Sequence, residues 1–279
     1  MRRGWAARTN GDPMFPITSR NDRGSCSSIK MHSLAQRSEP GSLARIDSPG
    51  HGCSMTSNRG IDKARAGLAA LGDRDLPIDP TWQPRVDRLW EICTDALVSP
   101  SGTRPITSAA LAEALARGLP GLSHNPLNSV TPALGIARLL DSAAETLTSE
   151  FGSVRLIDLC RLGCAVLCAA TLASGDTPPE HSLHEGVRGL ADALVHAHGG
   201  RSIEVRTPPV VAVQVASQTA GPTHRRGTPP NVVEMPPRSF ILLTTGLLSW
   251  DDAIGTHGLT HSGAHAHEVA AHLPVLDLR

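Results

Sequence analysis

Apolar residues recur at helical spacing through the middle of the chain and alternate with polar ones beyond residue 200. Ile61–Leu71 reads as a short amphipathic helix stopped by Gly72. Pro84–Val98 carries Val86, Leu89, Trp90, Cys93 and Leu97 on one helical stripe, and Ser99-Pro100-Ser101-Gly102 breaks it. Thr107 is an N-cap candidate for a helix over Ser108–Arg117, with Gly118 just past its end. Thr131-Pro132 predicts another helix over 132–150, with Leu134, Ala137, Leu140, Ala144 and Leu147 as its buried face. Val154–Ala173 is apolar nearly all round, the signature of a central buried helix. Ser182-Leu-His-Glu185 has capping-box spacing, so a helix is expected to open there. That helix buries Val187, Leu190, Ala191 and Leu194 and ends at Gly199-Gly200.

At residue 201 the period shortens to two. Ile203–Arg206 alternates, as do Val211, Val213 and Val215, and two further apolar runs are Asn231–Met235 and Phe240–Leu243. Pro-Pro pairs at 208–209, 229–230 and 236–237 punctuate these runs and limit any strands to short or edge positions. The expected fold class is mainly α: a helical, bundle-like domain over 61–200, then a small β-containing part over 201–279. Residues 1–60, rich in Ser, Arg, Gly, Asn and Pro, read as a disordered tail, because isolated apolar residues cannot offset the entropy of ordering the backbone. Met31 and Met55 offer later in-frame starts.

Composition and charge narrow this picture. The chain has 279 residues, 40% apolar, with no Tyr and equal numbers of acidic and basic groups. Neither a glycine period nor sustained heptads are present, which excludes fibrous classes. All but two basic residues (Lys30 and Lys63) are Arg, a skew expected from a high-GC bacterial genome. The neutral total conceals a basic first 70 residues on an acidic remainder. The longest uncharged apolar stretch, Leu162 to Gly175, is shorter than the ~20 residues of a membrane span. No export signal is evident, and six Cys without a Cys-x-x-Cys pair suit a reducing compartment, so a cytoplasmic location with no membrane partner is expected.

Histidines supply the first chemical lead. His257, His261, His265, Glu268 and His272 step by four, four, three and four, so on a continuous helix they would share one face. Imidazoles at i and i+4 can chelate a divalent metal such as zinc. The final Ala-His-Glu-Val-Ala-Ala-His272 is His-Glu-x-x-x-His, one residue longer than the zincin motif, and Gly258 and Gly263 weaken the helix. His181, His184 and Glu185 form a lesser cluster, as do His196 and His198 at a predicted helix end, where the helix dipole favours cations. Cys160, Cys164 and Cys168 also step by four, as expected of small apolar core residues.

A second lead lies upstream. Val86-Asp-Arg-Leu-Trp-Glu-Ile92, a loop, then Arg104-Pro-Ile-Thr-Ser-Ala-Ala-Leu-Ala-Glu-Ala-Leu115 and Ser123-His-Asn125 resemble the opening of actinobacterial helix-turn-helix regulators over about 40 residues. The resemblance implies duplex DNA as partner, with Arg104, Ser108, Arg117, Ser123, His124 and Asn125 as contact residues. Pro126 and Pro132 interrupt the expected recognition helix. Gly-x-Ser-x-Gly, Walker A and dinucleotide-binding signatures do not occur. The sequence therefore leads to a non-enzymatic interaction or regulatory protein, DNA-binding through 85–140, with a protein partner also open. The alternative is a metal-binding protein using the C-terminal histidines.

Overall fold

The computed structural model describes residues 59–72, 78–96, 103–120, 145–218 and 229–279. The basic tail, the Thr131-Pro132 helix start and the Ser123–Asn125 contact triplet lie outside these residues. Three helices come first: α1 (Arg59–Gly72), α2 (Gln83–Asp95) and α3 (Ser108–Gly118). The apolar stripes read above form their buried faces: Ile61, Ala64, Leu68 and Leu71 on α1, and Val86, Leu89, Trp90 and Cys93 on α2. Thr107 caps α3 as expected, its hydroxyl accepting the Ala110 N–H at 3.2 Å.

A hairpin follows, β1 (Thr146–Ser149) paired antiparallel with β2 (Gly152–Arg155). The last turn of the helix expected over 132–150 is strand here, and 132–144 lie outside the described residues. Leu147 and Val154 face each other across the hairpin and are both buried. Leu, Thr and Ser permit either structure, and the cross-strand partner decides it.

β2 runs directly into α4 (Leu156–Ala173), the central helix the sequence calls for. It has the length and hydropathy of a membrane span, but 78% of it is buried inside the fold, as in a core helix. Each fully buried Leu or Val here contributes about 2 kcal/mol. Cys160, Cys164 and Cys168 pack into this core beside Cys93 of α2, all four as free thiols.

Helix α5 (Glu180–His198) packs along α4. It begins two residues before the expected capping-box serine, with Pro179 at the N-cap. Ser182 and Glu185 are thus already inside the helix, where their side chains make tertiary bonds instead of capping. The chain then forms a mixed sheet of order β4-β3-β5-β6. β3 (Gly199–Thr207) pairs antiparallel with β4 (Val211–Val215) and parallel with β5 (Val232–Glu234). β6 (Thr260–Ser262) closes the other edge, antiparallel to β5. Phe240–Leu243, expected among the extended runs, lies in helix α6 (Pro237–Thr244), with Pro237 at its first turn. Four apolar residues in a row do not by themselves distinguish strand from helix. Helix α7 (Trp250–Thr256) and a 3-10 helix (Ala266–His272) complete the C-terminal part.

Candidate functional site

The predicted histidine face does not form. His257 caps the end of α7, His261 sits on β6, His265 precedes the 3-10 helix, and Glu268 and His272 lie within it. Gly258 and Gly263 break the run, with φ of 72° and 98°, a left-handed backbone no helix can contain. The side chains take separate partners. His265 Nδ1 lies 2.8 Å from Glu268 Oε1, and His272 Nε2 donates to the Ala216 carbonyl at 2.9 Å. The His272 ring stacks on His198 at 4.3 Å, and His261 faces Trp250 at 6.2 Å. Among the described residues no three His, Cys, Asp or Glu side chains converge to hold a metal ion.

The residues chosen for DNA contact fare similarly. Arg104 is exposed on the extended segment before α3. Arg117 pairs with Glu113 one turn back. Ser108 is 1% exposed, and its hydroxyl lies 2.6 Å from His196 Nδ1 of α5. The same nitrogen lies 2.8 Å from the Asp192 carbonyl. One ring nitrogen serving both groups, with a buried hydroxyl, ties α3 to α5 and does not activate a nucleophile. A serine in that position is closed to a DNA base.

The buried thiols are equally unreactive. Burial pushes all four up, Cys160 to about 12, so none supplies a thiolate near neutral pH.

Unsatisfied chemistry collects elsewhere, in a cleft of about 260 Å³ between α1 and α5. Lys63 and Ala66 line it from α1, and His181, His184, Glu185 and Arg188 from α5. Two features set the seam at its floor. Ser182 Oγ donates to the Gly67 carbonyl at 2.7 Å, bonding α5 to α1. Gly67 leaves room for the carboxylate below, since a Cβ there would meet Glu185 Cγ at 3.3 Å and Cys164 Sγ at 3.4 Å.

Glu185 is 3% exposed, and its two oxygens accept from two arginines. Arg161 Nε of α4 reaches Oε2 at 3.1 Å, and Arg188 Nη1 reaches Oε1 at 2.7 Å. Arg161 is also held by Asp192 at 2.9 Å. A buried carboxylate is tolerated only with such pairing. The other lining groups differ. Lys63 is exposed, and neither it nor His181 makes a hydrogen bond or ion pair among the described residues. Arg188 uses one of its five N–H groups. His184 lies 3.8 Å from the exposed rim carboxylate of Glu180. The cleft therefore presents free donors and positive charge around an already neutralised acid.

Sequence reasoning placed His181, His184 and Glu185 together but not Lys63 or Arg188. A signal was present: 181, 184, 185 and 188 follow i, i+3, i+4, i+7, a polar stripe on a helix that otherwise buries its faces. The partner helix is more than a hundred residues upstream, beyond the reach of local periodicity.

Comparison with known proteins follows this geometry. Residues 179–275 match a family model described as bacterial SCP ortholog. The match covers less than half of the chain. It contains all of α5 and the sheet, while Lys63 and Ala66 of α1 lie outside it, so the cleft lies on the seam between the matched segment and the preceding helices. No curated protein matches the sequence. Two solved structures are similar to the chain. A mycothiol-dependent maleylpyruvate isomerase is 14% identical, with TM-score 0.39, covering 73% of this chain and 92% of its own. A mutant of that enzyme is 15% identical, with TM-score 0.36, covering 73% and 89%. That activity belongs to those enzymes. Neither finding concerns a helix-turn-helix regulator. With Ser108 buried against α5, Arg117 paired with Glu113 and the family match pointing to a different family, the resemblance of 85–125 to helix-turn-helix regulators is not upheld, and with it falls the reading of the chain as a non-enzymatic DNA-binding regulator.

Proposed function

We propose that the protein binds a small organic anion in the cleft between α1 and α5. The observation that carries this reading is the pair of cationic side chains, Lys63 without a partner among the described residues and Arg188 with N–H groups to spare, over a carboxylate already paired twice. Charge-assisted hydrogen bonds to a carboxylate contribute about 1.5–3 kcal/mol each. His181 and His184 add further donors beside them. At about 260 Å³ the cleft is below the range of drug-sized pockets, about 300–1,000 Å³, and suits a small metabolite. Four free, buried cysteines support a cytoplasmic location, where thiols stay reduced.

Isothermal titration calorimetry with benzoate, succinate and their neutral amides tests the reading. The acids are expected to bind and the amides to bind at least about tenfold more weakly. Lys63→Ala and Arg188→Ala are each expected to cost about tenfold, or 1.4 kcal/mol. Equal binding of acids and amides, or wild-type affinity in both variants, would remove the cleft as an anion site.

A further inference from the structure

Glu185 looks misplaced in an anion site, since counting charges alone makes it a repulsive wall. Its bonds say otherwise. It is buried, both oxygens are occupied, and the guanidinium at the cleft, that of Arg188, is held through Nη1 alone. Nε and Nη2 of Arg188 make no hydrogen bond among the described residues, so one planar edge of the fork remains for a ligand. Arg161 differs. It is engaged through Nε by Glu185 and through Nη1 by Asp192, which fixes the far side of the same carboxylate.

We propose that Glu185 is the positioning residue of this cleft, holding Arg188 so that its Nε/Nη2 edge receives a ligand carboxylate in a two-bond grip. The inference rests on the anion-binding reading above and narrows it to planar carboxylates. Free arginine side chains lose considerable rotamer freedom when they bind, and a guanidinium already held in place loses less per bond formed. Other charged groups facing the cleft are Lys63 on α1 and Glu180, His181 and His184 on α5. All of these stay unchanged in the Glu185 and Arg188 variants below.

The test uses the full chain with benzoate as probe. Charge counting predicts that Glu185→Gln, which makes the cleft more positive, binds benzoate more tightly. Positioning predicts that it binds about tenfold more weakly. Tighter or unchanged binding in folded Glu185→Gln overturns the proposal. Arg188→Lys keeps the charge at a partly exposed position and loses the fork. It too is expected to lose about tenfold, and wild-type affinity there overturns the proposal even if Glu185→Gln does not fold.

Chemical rescue separates positioning from a merely structural role. Methylguanidinium added to Arg188→Ala is expected to restore benzoate binding, and to fail in the Arg188→Ala, Glu185→Gln double variant. Equal rescue in both, or none in the single variant, contradicts the proposal. Failure of the wild type to bind benzoate or succinate defeats the anion-binding reading itself. Loss in Lys63→Ala with full binding in Glu185→Gln defeats only the positioning role.

Discussion

Gly189 shows how single residues set the approach of α4 and α5. A Cβ built there would lie 2.8 Å from Arg161 Cβ and 3.0 Å from the Arg161 backbone carbon, so the helices would have to move apart. Gly163 is different, because its Cβ would meet only the tip of Leu68, at 3.1 Å, a flexible end that can turn aside. Alanine in place of glycine inside a helix gains up to about 1 kcal/mol in propensity. Overpacking costs about 1–3 kcal/mol. Gly189→Ala is therefore expected to destabilise the protein by about 1–2 kcal/mol, and Gly163→Ala to be neutral or slightly stabilising. Urea unfolding of both variants checks this, and equal stability in the two would contradict the packing account. Moving α5 also carries Glu185 away from Arg161 of α4, so Gly189→Ala is expected to weaken the cleft as well.

At the scale of elements, sequence pattern and structure agree where one helix buries its own stripe. α1, α2, α3 and α4 were legible because their faces are decided by local spacing. Elements decided by distant partners were not. Ser182 and Glu185 have capping-box spacing, yet Gly67 and Arg161 claim their side chains. Thr146–Ser149 becomes a strand only because β2 lies opposite. The C-terminal histidines have the spacing of one helical face, but the two glycines that the sequence shows among them take left-handed backbone and divide them among three elements. That division has a pH consequence. His198, at the end of α5, stacks on His272 of the 3-10 helix, and burial, aided by that neighbour, holds its imidazole below the ordinary histidine range. The unfolded chain takes up that proton first as pH falls through about 6.5. Stability from this pair is therefore present above the ordinary histidine value and is lost toward the lower folded value. Thermal unfolding at pH 7.5 and pH 5.5 is expected to show a larger acid loss in the wild type than in His272→Gln, which keeps a donor for Ala216. Equal acid loss in the two would show that the stacked pair is not responsible.

At the scale of the whole molecule, the proposed anion site lies on a seam. The segment matched by the bacterial SCP ortholog model contributes His181, His184, Glu185 and Arg188, and α1 contributes Lys63 and the Gly67 contact. Neither part holds the cleft alone, so its geometry depends on α1 staying docked on α4 and α5. The central claim is that this seam is where the protein meets an organic anion, and nitrogen-15 NMR tests it most directly. Benzoate titrated into labelled full-length protein is expected to shift the backbone amides of residues 63–67 and 181–188 together, with one saturating curve. Shifts confined to the β3–β6 sheet or the 3-10 helix, or no saturable shifts in either cleft segment, would contradict it.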